Sequence, residues 1–209
     1  EDREHGCDAI LTHHPVIFPA LSALTDDTVA ADLALQAAES RIAVVAAHTN
    51  LDAARGGLND VMAAMLGLAD ARPLRAAAED PAAGLGRVGR IAPTTLERLA
   101  ARVAEVFERA RVTYAGDPDS RVEMVACCTG SGASLIADAR AAGADAYVTS
   151  DLKYHDADRA DGLQLVSLPH ARAERVALKR WTRVLERALA GDGVEVRFAL
   201  AETDPWQAA

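Results

Sequence analysis

Apolar residues fall along this chain in two alternating modes. Short continuous runs at 9–12, 42–47, 122–128, 146–149 and 163–168 read as strands, and the run at 42–47 has the β-branched, uninterrupted character of a strand buried on both faces. Between them lie segments whose apolar positions recur at helical spacing. Residues 29–39 follow a Thr25-Asp26-Asp27 cap, residues 58–68 follow Gly56-Gly57, and a strongly amphipathic helix through Ala110 follows Thr94-Thr95. A helix from Gly132 to Gly143 and a long one over 172–190 complete the set. The segment 112–114 suggests an edge strand and 194–200 a terminal strand. Strands alternating with helices predict an α/β protein with mostly parallel sheets flanked by helices.

Residues 71–93 break this rhythm. They are rich in Ala, Pro, Gly and Arg, with little periodicity, and read as a connection carrying one short strand near 86–91. The expected organisation is a first lobe over 1–70, the connection, and a second lobe over 94–209. Gly84-Leu-Gly-Arg-Val-Gly89 matches a dinucleotide-binding pattern, but no convincing strand precedes it and Pro93 blocks a following helix, so that reading is rejected.

Composition narrows the class. Of the 209 residues half are hydrophobic but only 4% aromatic, so the core must be built from Ala, Val, Leu and Ile. A formal net charge of −9 disfavours a nucleic-acid binder. No apolar stretch reaches the roughly eighteen residues of a membrane helix, and the chain carries no cleavable signal pattern. The three cysteines, two of them adjacent, imply no disulfide framework and suit a reducing, cytoplasmic compartment.

The candidate chemistry sits where apolar runs end. His13-His14 follows Asp8-Ala-Ile-Leu-Thr12, His48-Thr-Asn-Leu-Asp52 follows 42–47, and His170-Ala-Arg-Ala-Glu174 follows 163–168, so four of the six histidines lie at strand carboxyl ends. Metal sites in α/β proteins are assembled there. Each motif also has an ordinary reading. Adjacent histidines on a regular strand point to opposite faces, so His13 and His14 are a loop pair unless they serve two ions or an irregular strand end. Asp52 is either an oxygen ligand or a helix cap, and His48 a further ligand or a supporting group. His170 and Glu174, four apart at a helix start, share a face, although a carboxylate there is also favoured by the helix dipole. Together, His13, His14, Asp52, His170 and Glu174 could hold two ions. The N and O donors suit Zn, Mn, Fe, Co or Ni alike. Thr129-Gly-Ser-Gly132 is equally a phosphate-binding loop, through Gly130, Ser131 and Gly132, or a tight turn. Asp151, Lys153 and His155 follow a strand and could contact substrate or support the metal ligands.

Taken in order, Leu11-Thr-His-His-Pro-Val-Ile-Phe18, Ala47-His-Thr-Asn-Leu-Asp-Ala-Ala54, Gly57-Leu-Asn-Asp60, Gly130-Ser-Gly132, Thr149-Ser-Asp-Leu-Lys-Tyr-His155 and Thr203-Asp-Pro-Trp206 resemble the GTP cyclohydrolase 1 type 2 homolog family. The resemblance implies a two-lobed α/β protein with a dinuclear metal site between the lobes, assembled as a homohexamer. It implies the same five ligands, with His48 close to the metals. It also implies hydrolysis of a nucleotide-like substrate, GTP ring opening with loss of formate. In that reaction His48 or His155 would move protons, and Lys153 with the Gly130–Gly132 loop would hold phosphate. A metal-handling or regulatory scaffold is the competing expectation. The chain corresponds to a short form without the inserted middle domain. The strand and helix that family members carry ahead of the His13-His14 segment are expected to lie outside it. Pro169 stands where the family usually has Gly, beside His170.

Overall fold

The computed structural model describes residues 6–201 and 203–206. The chain divides into two compact units, 1–51 and 52–209.

In the first unit, strands β1 (Ala9–Thr12) and β2 (Ala43–Ala46) pair in parallel, Ala9 opposite Ala43, with helix α1 (Val29–Glu39) as the crossover. Thr28 caps α1, its side chain accepting the Ala31 N–H at 3.3 Å. The expected burial of β2 on both faces is not found: all four of its residues are exposed. Among the described residues of this unit the sheet has two strands, with α1 as the crossover between them, too few layers to cover both faces. An apolar groove of about 400 Å³, lined by Ile17, Ala34, Ala38, Ile42 and Val44 among others, remains beside α1. The short helix α2 (Thr49–Ala53) follows β2.

The second unit is built on a six-stranded sheet. In chain order its strands are β3 (Ala69–Ala76), β4 (Gly84–Thr95), β5 (Thr113–Ala115), β6 (Arg121–Ser131), β7 (Ala146–Ser150) and β8 (Gln164–Ser167). Their order across the sheet is β3-β4-β6-β7-β8-β5. The centre, β6-β7-β8, is parallel, and the remaining pairings are antiparallel. Helices α3 (Leu58–Leu66), α4 (Leu96–Val106) and α7 (His170–Leu189) bury apolar side chains such as Met62, Leu99 and Val176 with Val125 and Val148 of the sheet. Around Tyr147 and Leu165 a second cluster is closed by Leu135 and by helices α5 (Ile136–Ala141) and α6 (Tyr154–Asp158).

Residues 71–93, read from sequence as a connection carrying one short strand near 86–91, form most of the β3–β4 hairpin, and that strand falls within β4. Its glycines sit close to neighbouring backbone, a Cβ on Gly84 coming 2.2 Å from the Arg75 carbonyl and one on Gly89 2.6 Å from that of Ala69, and such packing leaves little hydrophobic signal in the sequence. Arg87, in the middle of that segment, is 1% exposed and paired with Asp60 of α3. Residues 194–200 are not a strand. The β8 edge is taken by β5, and this segment instead meets α7: Arg175 donates to the Ala199 and Leu200 carbonyls and stacks on Phe198. None of the described helices is long and apolar enough to cross a membrane.

One irregularity positions the site. Cys127 faces Val148 and Ser131 faces Ser150, so β6 takes four steps where β7 takes two. The surplus residues bulge out of the ladder, as at many functional sheet ends. They include Thr129 and Gly130.

Candidate metal centre

β1 ends at Thr12, and His13 and His14 lie in the bend beyond it, which frees both rings from the alternation of a regular strand. They converge with His48, which immediately precedes α2. The three ring centroids are 5.1–5.2 Å apart, and one ligand nitrogen from each lies within 4.8 Å of the others. His13 is buried, with Nδ1 2.8 Å from the Ala47 carbonyl. In the neutral ring that contact puts the proton on Nδ1 and leaves Nε2 as the basic nitrogen, the arrangement usual for a ligating histidine. The bend beyond β1 is compatible with a loop pair and with an irregular strand end alike.

In the second unit His170 opens α7. Pro169, at the N-cap, needs no backbone donor there, and its carbonyl accepts the Ala173 N–H at 2.9 Å, so it begins the helix without disturbing it. His170 lies between two carboxylates. Nδ1 is 2.6 Å from Asp151 Oδ2, and Nε2 is 2.9 Å from Glu174 Oε1. Glu174 is buried. Its hydrogen bond is the main reason the His170 pKa rises to about 9, with Asp151 adding to the rise and burial opposing it. An ion at Nε2 must displace that proton, after which Asp151 on Nδ1 would brace the ring as carboxylates brace ligating histidines elsewhere. Asp151 holds this position with φ 56°, an uncommon conformation for a residue with a side chain.

Gly130 leaves the space that this pair occupies. A Cβ there would lie 2.5 Å from Glu174 Oε1 and 3.3 Å from His170 Nε2, and its φ of +64° is itself unfavourable to L side chains. Gly130→Ala is accordingly expected to lower stability by about 1–2 kcal/mol from backbone conformation alone and to weaken metal binding further by displacing Glu174. Thermal melts with and without added metal check both effects. Unchanged metal affinity would remove the steric argument.

Asp52, on α2, receives a hydrogen bond from Thr129 Oγ1 to Oδ1 at 3.1 Å. Fully buried Asn59 ties the same place together: its Nδ2 donates to the Asp52 carbonyl at 3.0 Å and its Oδ1 accepts the Thr129 N–H at 3.0 Å. Cys128, between Thr129 and Cys127 on β6, has its thiol pKa pushed up to about 12, first by burial and then by the negative charge of Asp52. The ligand groups that converge among the described residues are of histidine and glutamate, N and O donors. The link of Thr129 to Asp52 and Asn59 is a long-range contact with no local signal in the sequence.

The proposed substrate-side residues are placed differently. Gly132 is packed against the sheet, where a Cβ would come 2.2 Å from Thr149 Oγ1 and 2.3 Å from Tyr147 Oη. The Gly130 and Gly132 carbonyls accept hydrogen bonds from Thr149 and Tyr147. The loop thus has the packing role of a tight turn, and Ser131 pairs with Ser150 as part of β6. Lys153 is exposed at the N-cap of α6, its N–H donated to Asp156. His155 lines a shallow groove of about 260 Å³ with Ser134, Arg140 and Arg159, and none of the five candidate ligands lines it.

The fold and donor set define an α/β protein with histidine- and carboxylate-rich candidate metal ligands at strand ends. A match to the family described as Duf34/NIF3 (NGG1p interacting factor 3) covers residues 1–205, and the chain belongs to that family. A relative named GTP cyclohydrolase 1 type 2 homolog, from Streptomyces coelicolor, is 34% identical, with 97% of this chain and 75% of the relative covered. A relative of the same name from Clostridium acetobutylicum is 30% identical over 98% of this chain and 78% of its own length. The crystal structure of a Bacillus cereus protein related to NIF3 shares the fold, with a TM-score of 0.90 at 22% identity, covering all (100%) of this chain and 85% of that one.

Proposed function

We propose that this chain is a dinuclear-metal-binding protein whose two divalent transition-metal ions are held by His13, His14, Asp52, His170 and Glu174, and that it is a metal-dependent hydrolase of a nucleotide-like substrate. The observation that carries the reading is the Asp151–His170–Glu174 line over Gly130. A nitrogen donor is braced from behind by one carboxylate and flanked by a second, buried one, with the backbone opposite stripped of a side chain. The converging imidazoles of His13, His14 and His48 support it independently. Donors without thiolate suit an ion that keeps open positions for chemistry. Such an ion, when bound, supplies Lewis acidity, polarising an electrophile and acidifying water.

The chain's own residues would do the rest. Asp151 keeps the His170 ring oriented. His48, next to the candidate ligands His13 and His14, is the histidine suited to carry a proton. His155 and Lys153 are reserved for substrate contacts outside the ligand set. The name of the curated relatives directs the first assay to GTP. Metal-loaded protein incubated with GTP is expected to release formate, and His48→Ala to reduce the rate by about 100-fold or more, with metal content measured alongside to separate proton transfer from ligation. Full metal occupancy without formate release would reject GTP ring opening. A non-catalytic metal-handling role is favoured by one observation, the packing of Gly130 and Gly132 into the fold as in a tight turn, the alternative to a phosphate-binding loop. A cytoplasmic location and a homohexameric state belong to the same proposal, and light scattering would give the latter directly.

A further inference from the structure

We propose that Thr129, seated by Asn59, is the positioning residue that sets the metal-binding posture of Asp52. The inference rests on the proposed ligand role of Asp52. Thr129 lies 77 positions from Asp52 in the chain and reaches it only because β6 bulges. The bulge takes Thr129 out of register with β7, and its N–H goes to Asn59 Oδ1 at 3.0 Å. The hydroxyl has one proton and two acceptors in reach, Asp52 Oδ1 at 3.1 Å and Asn59 Oδ1 at 3.3 Å. The carboxylate is nearer and charged, and Asn59 Oδ1 already accepts the backbone N–H, so the proton belongs to Asp52.

Asn59 makes the arrangement rigid. It is fully buried on α3, and its two ends are distinguished by their partners: Nδ2 faces the Asp52 carbonyl, and Oδ1 faces the Thr129 N–H. Turning the amide over would oppose donor to donor and acceptor to acceptor. One side chain therefore fixes the backbone of the ligand and the backbone of the group that orients it. The Thr129 hydrogen bond restricts the Asp52 carboxylate before an ion arrives, so less ordering remains to be done on binding. Groups that orient metal ligands in this way typically change affinity by about 10–100-fold when removed.

The test is titration of the metal-free full chain with Co²⁺, read by visible absorption and by competition with a chelator. Thr129→Val keeps the shape and loses the hydroxyl; Thr129→Ser keeps the hydroxyl. The Val variant is expected to bind Co²⁺ about 10–100-fold more weakly with an altered absorption envelope, and the Ser variant to stay near wild type. Should the Val variant not fold, Thr129→Ala carries the same expectation. Wild-type affinity and spectrum in the hydroxyl-free variant would overturn the inference, as would equal weakening in Val and Ser variants, which would mark the residue as merely structural. Failure of the wild-type chain to bind Co²⁺ would instead reject Asp52 and its partners as ligands, and the inference with them.

Discussion

Glu174→Ala and His170→Ala are each expected to leave the chain with roughly one ion or fewer, against about two for the wild type. Glu174 is the buried carboxylate of the second unit's donor pair and sits 2.9 Å from His170 Nε2. Its removal deletes a donor and also the acceptor that holds His170 in place. His170→Ala removes the nitrogen that Asp151 orients. Asp151→Asn keeps the ring and a hydrogen-bonding group but not the charge, so its metal affinity should fall less, by about 10-fold. Elemental analysis after dialysis against metal-free buffer measures all three. If Glu174→Ala and His170→Ala both retain full metal, the ligand assignment in the second unit is wrong.

Arg87→Met is expected to be the most damaging single change to folding. The guanidinium is buried, ion-paired with Asp60, and donates to the Gly84 and Gly86 carbonyls at 2.6 and 2.8 Å and to that of Ala54 at 3.4 Å. Asp60 in turn accepts the Gly56 N–H at 2.6 Å, so the pair clamps the loop between α2 and α3 onto β4. Met fills the volume but leaves three carbonyls and a carboxylate without their donor. Breaking a buried pair on one side costs about 3–5 kcal/mol. Asp60 is about one-third exposed and can rehydrate, which favours the lower end. A loss of about 3 kcal/mol corresponds to a fall in Tm of roughly 6–12 °C for a chain of this size. Arg87→Lys keeps the charge without the planar fork and should fall between. A Met variant that melts with the wild type would show that the clamp contributes nothing net.

What the sequence made legible follows from the range of the interactions involved. The His170–Glu174 spacing is a local helical relation and needs no tertiary knowledge. The strand-end position of His13, His14, His48 and Asp52 is visible because apolar runs mark the strands before them. The bulge in β6 is set by pairing with β7, and the Asn59–Thr129 contact spans 70 positions, so neither leaves a local signal. Of the β3–β4 hairpin only the short strand near 86–91 leaves a local signal, for a related reason. Its glycines allow backbones to approach closely, and burial of backbone does not register as hydrophobicity. Conversely, the apolar run at 42–47 overstated burial, since how much of a strand is covered depends on which layers lie over it. The two adjacent cysteines, Cys127 and Cys128, are buried. Burial raises the thiol pKa of both Cys127 and Cys128.

The central claim is that the chain holds two metal ions through histidine and carboxylate side chains. The most direct test is the metal-to-chain ratio of the wild-type protein, reconstituted with Zn²⁺ or Co²⁺ and stripped of loosely bound ions. The expected ratio is close to two and falls for His13→Ala and for Glu174→Ala. A ratio near zero, or one that neither substitution changes, would contradict it.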